Sequence, residues 1–167
     1  MIPSSAAVSS GFTFFEDWTG FELRQDSRSV GKLVRRSVWS SEFEAESLHE
    51  SWLIRRSGFW GSKAEIIDAA SKQPVATFRS AWGGKGTLAF ADGQTFHVVT
   101  RGVWHPVWTV TAETGQPILR VHTGEKSVEL QDVAAISESR LWLLVLFTLY
   151  RVRQSEDAAA AGAAVAS

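Results

Sequence analysis

A chain of 167 residues whose 17 basic and 18 acidic side chains leave a net charge of −1 has the size of one domain and no global field to draw it to nucleic acid. Apolar residues make up 44% of it, with 8 Trp and 10 Phe, which is ample material for a core and argues against general disorder. The absence of Cys excludes a disulfide scaffold, a thiolate zinc site and a cysteine nucleophile together, and a reducing, cytoplasmic setting is the simplest reading.

Residues 1–10 have no basic start, and Ser4, Ser5, Ser9 and Ser10 interrupt their apolar positions. They read as a flexible leader rather than a secretory signal. From Gly11 to about Gln131 the chain is a succession of short runs rich in Val, Ile, Phe, Trp and Thr, broken by turn residues roughly every eight to twelve positions. The predicted strands begin with Phe12–Phe15, Phe21–Arg24, Lys32–Arg36, Trp39–Phe43, Trp52–Ser57 and Ala64–Asp68. They continue with Val75–Ser80, Thr87–Phe90, Thr95–Arg101, Val107–Ala112, Ile118–His122 and Val128–Gln131. About twelve strands in so short a chain call for a closed antiparallel barrel, or a barrel-like sandwich, because an open sheet would leave long unpaired edges.

Asp92-Gly93 and Thr114-Gly115 supply the positive φ that tight hairpins need. Trp82-Gly83-Gly84-Lys85-Gly86-Thr87 has glycines but neither the spacing nor the following helix of a phosphate loop, and reads as a plain turn. An internal repeat stands out. Trp52-Leu53-Ile54-Arg55-Arg56-Ser57-Gly58-Phe59-Trp60 matches Phe96-His97-Val98-Val99-Thr100-Arg101-Gly102-Val103-Trp104, and Gln73-Pro74-Val75 matches Gln116-Pro117-Ile118. The unit is strand, Gly-aromatic turn, strand, Gln-Pro turn, strand, which buries its apolar face only beside its neighbours. Within it Phe96, Val98 and Thr100 share one face, and His97, Val99 and Arg101 the other.

Ser137 is placed to cap a helix, with Glu138 at its positive end. Leu141–Tyr150 is apolar on every side and closes with Arg151 and Arg153. Such a helix must be buried in protein or in lipid. With Val152 its apolar part is about twelve residues, roughly 18 Å, against the ~20 residues needed to cross a bilayer. The length favours a central core helix over about 138–153, with a short membrane anchor as the other reading. The Ala-rich stretch 154–167 has no face to bury and reads as a disordered tail or frayed helix.

A long meander followed by one all-apolar helix resembles the tubby C-terminal-like superfamily, which includes tubby proteins, phospholipid scramblases, plant LURP-one-related proteins and small bacterial relatives. The residues that carry the likeness are Trp52–Trp60, Ala64–Asp68 with Gln73-Pro74, Gly86–Val99 around Asp92-Gly93, Trp108–Val121 around Gly115-Gln116-Pro117, and the terminal helix. The resemblance covers about residues 11–153 and implies a single mainly β domain, a closed barrel threaded by its C-terminal helix. It also implies lipid-linked binding, since tubby proteins bind phosphoinositides. No acidic run beside Leu141–Tyr150 matches the calcium-associated segment of scramblases, so calcium-dependent lipid movement is not implied.

No G-x-S-x-G elbow, no H-E-x-x-H pattern and no ordered Ser, His and Asp set occurs. His49, His97, His105 and His122 are spaced as surface histidines rather than metal ligands. No catalytic residue, metal or cofactor is expected. The candidate binding residues are Arg35, Arg36, Arg55 and Arg56, with Trp39 and Trp60 near them. Guanidinium groups pair with phosphate, and indoles favour the membrane interface. Against this, adjacent strand residues face opposite ways, so each doublet offers one outward charge, free to pair with Glu42, Glu44 or Glu50. Two functions follow: a peripheral, non-enzymatic module for anionic lipid headgroups, or a structural domain that binds a protein partner.

Overall fold

The alternation of inward apolar and outward polar residues builds one continuous wall. In the computed structural model, which describes residues 11–59 and 62–166, twelve strands follow in chain order. They are β1 (Phe12–Glu16), β2 (Gly20–Gln25), β3 (Arg28–Arg35), β4 (Phe43–Ser47), β5 (Ser51–Ser57) and β6 (Lys63–Asp68). After them come β7 (Pro74–Ala81), β8 (Lys85–Phe90), β9 (Thr95–Arg101), β10 (Val107–Ala112), β11 (Pro117–His122) and β12 (Ser127–Leu130). Each strand pairs antiparallel with its sequence neighbours, and β1 returns to β12 through Phe12↔Val128 and Thr13↔Ser127. The sheet is therefore a closed barrel with no free edge.

Only one predicted strand is misplaced. Trp39–Phe43 was expected to pair, but β4 begins at Phe43, and the preceding residues form a loop. Local polar contacts hold it: Ser40 N donates to Ser37 O (3.1 Å) and Glu42 N to the Ser40 hydroxyl (3.0 Å). Serines satisfy the backbone there in place of a neighbouring strand.

The internal repeat has a structural counterpart. Gly58 and Gly102 both take positive φ, 78° and 95°, at the ends of β5 and β9. Pro74 and Pro117 both open a strand where the register shifts, opposite Ile67 and Thr111. A residue without an N–H fits such a bulge. Trp60, the last residue of the first copy, and the leader 1–10 lie outside the described residues.

The α-helix α1 (Glu138–Val165) runs through the lumen. Ser137 caps it, its hydroxyl accepting from Arg140 N at 3.4 Å. Leu141, Leu143–Tyr150 and Val152 are all buried, packed in one cluster with Phe14, Leu33, Ile54, Phe78, Phe96 and Val110 from the wall. Each large side chain so buried contributes roughly 1.5–3 kcal/mol. Thr148, the buried polar residue of this cluster, donates its hydroxyl to Leu144 O at 2.7 Å. Among the described residues no helix is long and apolar enough to cross a membrane.

The expected disordered tail is corrected: the helix does not stop near residue 153 but continues to Val165. Alanine has the highest helix propensity, and the buried segment has already met the cost of nucleation, so the Ala-rich stretch propagates the helix without any face to bury.

Candidate functional site

In an up-and-down barrel successive hairpin turns fall at alternate ends. One end holds the turns β2/β3, β4/β5, β6/β7, β8/β9 and β10/β11, and it is where α1 enters. There Arg140 reaches the β8/β9 turn, pairing with Asp92 at 2.9 Å, hydrogen bonding to Gln94, and lying 4.1 Å from the centroid of Phe90. Gly93 of that turn has φ 95°, as its Asp-Gly sequence requires.

The opposite end, where α1 leaves, is chemically different. Five of its six turns, β1/β2, β3/β4, β5/β6, β7/β8 and β9/β10, each present a large aromatic residue to solvent: Trp18 (84% exposed), Trp39 (97%), Phe59 (82%), Trp82 (97%) and Trp104 (90%). Val38 and Val103 are exposed beside them, whereas the helix-entry turns present a single large apolar residue, Leu48, among the described residues. The Trp18 turn is fixed by Asp17, whose carboxylate accepts from Thr19 N (2.7 Å), the Thr19 hydroxyl (2.6 Å) and Gly20 N (3.0 Å). The Thr19 hydroxyl is the largest influence holding that carboxyl below its usual range. This crown was missed in the sequence, although its signal is there. Trp18 and Trp39 are 21 residues apart, and Trp82 and Trp104 are 22 apart, the length of two strands with their two turns.

Inside the crown the lumen opens into a cleft of about 700 Å³, within the range of ordinary ligand sites. Here the four candidate arginines divide by strand parity. Arg35 and Arg56 follow the inward positions Leu33 and Ile54 and line the cleft. Arg36 and Arg55 face outward and share one carboxylate, Glu42, with Arg36 Nη1 at 2.6 Å and Arg55 Nε also in hydrogen-bond contact. The hydrogen bond from Arg36, followed by that from Arg55, lowers the Glu42 pKa against the opposing effect of burial. The outward pair therefore forms a surface ion cluster. Only the inward pair belongs to the cleft, and Arg35 is also paired with Asp157 of the helix.

Sequence reasoning overlooked three further residues of the cleft: Thr100, Trp108 and Arg151. The signals were inward parity, shared with Phe96 and Val98 for Thr100, and the place of Arg151 directly after the apolar run. The Arg151 guanidinium lies 4.6 Å from the Phe78 centroid, and its Nη1 donates to Gln154 Oε1 at 2.7 Å. Gln154 Nε2 in turn donates to the Tyr150 hydroxyl at 2.6 Å. Burial, with a smaller contribution from the neighbouring charge of Arg56, pushes the Arg151 pKa down. Burial pushes the Tyr150 phenol up to about 12. Phe78 can lie under Arg151 because residue 86 on the next strand is glycine: a Cβ there would sit 2.0 Å from Phe78 Cζ.

Arg153 locks the helix exit to the wall, with Nη1 at 3.1 Å from Glu16 and Nη2 donating to Asp17 O (2.6 Å) and Gly20 O (3.2 Å). Among the described residues no three His, Asp or Glu side chains converge as metal ligands. His97 contacts the Thr87 hydroxyl and His122 contacts Glu129, both across neighbouring strands. Compared with protein-family models, curated proteins and solved structures, the chain finds no match.

Proposed function

We propose that this protein is a non-enzymatic binding module that docks on an anionic membrane surface, crown first, and belongs with the tubby-like proteins that its order of elements resembles. The observation that carries the reading is the placement of five exposed aromatic residues on five turns of one end. Indoles prefer the boundary between water and acyl chains, and exposed apolar patches of this kind are interaction surfaces. The inward arginines behind the crown complement anionic headgroups. With a net charge of −1 the attraction is local to that end. The barrel wall is unsuited to hydrocarbon, because Lys32, Glu44 and Arg55 stand exposed on its outer face. End-on contact leaves those charges in water.

Co-sedimentation tests this. Purified protein is mixed with vesicles of phosphatidylcholine alone, or of phosphatidylcholine with phosphatidylserine, at low and high salt. Anionic vesicles should carry the protein down, with high salt reducing the bound fraction. Each indole entering the interface contributes on the order of 1–2 kcal/mol, so the double variant Trp82→Ala/Trp104→Ala should weaken partitioning more than tenfold while folding normally. A chain that stays in the supernatant with both vesicle types would overturn the membrane reading and transfer the crown to a protein partner, for which tryptophans are equally suited.

A further inference from the structure

Three polar groups in the mouth cleft have no hydrogen-bond partner within the protein: Trp108 Nε1, Thr100 Oγ1 and Arg151 Nε. They come from β10, β9 and α1, and all three residues line the same cleft. Trp108 is 97% buried, as its 3% exposure shows. Buried donors are satisfied almost everywhere in folded proteins, so three orphans on residues that line one cleft mark a place prepared for an acceptor. Charge points the same way. Arg35, Arg56 and Arg151 line the cleft with one carboxylate, Asp157, which Arg35 takes. Arg151 is also held in place, stacked on Phe78 and tied to Gln154.

We propose that the mouth cleft is a binding site for a phosphate monoester, whose oxygens accept from Arg151 Nε, Trp108 Nε1 and Thr100 Oγ1 and whose charge is matched by Arg151. A phosphate monoester carries about −1.5 to −2 charge at pH 7 and several strong acceptor oxygens, which meets the positive charge of Arg151 and the number of waiting donors. A guanidinium takes such a group through parallel N–H bonds. The ester comes from a lipid headgroup or from a soluble phosphate. The inference rests on the docking reading only for the first of these sources.

Calorimetric titration of the whole chain distinguishes them. The probes are dihexanoyl phosphatidic acid below its micelle concentration, glycerol 3-phosphate, and dihexanoyl phosphatidylcholine, whose phosphate is a diester. The phosphatidic acid should bind at least tenfold more tightly than the choline ester. Equal affinity for glycerol 3-phosphate would assign the site to soluble esters; a clear preference for the lipid would assign it to a headgroup. Arg151→Met should weaken binding at least tenfold. Thr100→Val, which removes only a hydroxyl, should weaken it by about threefold to tenfold with the melting temperature unchanged. Absence of binding by both monoesters, or undiminished affinity in the Thr100→Val and Arg151→Met proteins, would overturn the site. Trp82→Ala/Trp104→Ala, two crown residues outside the cleft lining, should keep soluble-ester binding, so failure of vesicle docking and failure of the phosphate site give different results.

Discussion

Replacing Leu144 tests whether the helix is the core of the barrel or an appendage to it. Leu144 is 1% exposed, between Leu143 and Val145, which are buried to the same degree. Leu144→Ala deletes three buried carbons and leaves a cavity, and comparable core truncations cost about 3–5 kcal/mol. For a domain of this size each kcal/mol lowers the melting temperature by roughly 2–4 °C, so a fall of about 6–20 °C is expected. Leu144→Asp removes the same packing and adds a carboxyl with no partner, a further cost of about 2–7 kcal/mol even in its neutral form. The combined penalty, about 5–12 kcal/mol, is comparable with the whole stability of a typical domain. The Asp variant should therefore lose its near-ultraviolet circular dichroism and its cooperative melt, while the Ala variant keeps both at reduced stability. A Leu144→Asp protein that is soluble, with wild-type spectra and a sharp thermal transition, would refute the placement of α1 in the lumen.

Two other expectations concern the helix exit and the wall. The Glu156 carboxyl has its pKa raised to about 7, first by burial and then by Glu16, which shares a hydrogen bond with it; Asp157 adds to the rise and Arg153 opposes it. A carboxyl whose folded pKa exceeds its unfolded value of about 4.3 stabilises fully below that value, and the contribution is lost as pH rises through 7. Glu156→Gln should accordingly gain on the wild type between pH 4.5 and 8 in parallel thermal melts. The side chain is only partly withdrawn from water, so solvent screening keeps the gain small; a constant difference across that range would refute the coupling. Gly86→Ala should destabilise by about 1–3 kcal/mol, the usual cost of overpacking, because its methyl must displace the Phe78 ring. Phosphate-ester affinity should fall with it, since Arg151 rests on that ring; unchanged denaturation and binding would show that the contact is soft.

The barrel was legible because strand alternation and turn chemistry are local. Asp92-Gly93, Thr114-Gly115 and the two Gln-Pro pairs mark where the chain must reverse, and β9 and β10 keep the bounds that alternation assigns them. The loop before β4 was misread because Trp39 has strand propensity, whereas its place is decided by Ser37, Ser40 and Glu42 bonding within the loop. The end of α1 was misread because an Ala-rich stretch looks low in complexity, yet it continues a helix whose nucleus is already buried. Parity foretold that each arginine doublet splits between two faces, but not which member meets a carboxylate. Glu42 takes Arg36 and Arg55 together because β3 and β5 flank β4. Arg151, Thr100 and Trp108 converge only when the barrel closes around the helix, which no linear pattern displays.

Stability cannot account for the difference between the two ends of the barrel. A turn needs residues that permit its backbone path, and the helix-entry turns meet that need with Asp26-Ser27, Asp92-Gly93 and Thr114-Gly115. Five turns at the exit end instead hold aromatic side chains at least 82% exposed, where burial contributes almost nothing to folding and exposure invites association. The same end contains the unpartnered donors of Trp108, Thr100 and Arg151, which also raise the energy of the folded state. Two independent costs, one apolar and one polar, thus fall on a single face of an otherwise economical barrel. The proposed membrane docking and the proposed phosphate site place both costs on one interface, where each indole would leave water and each orphaned donor would find an acceptor in one event.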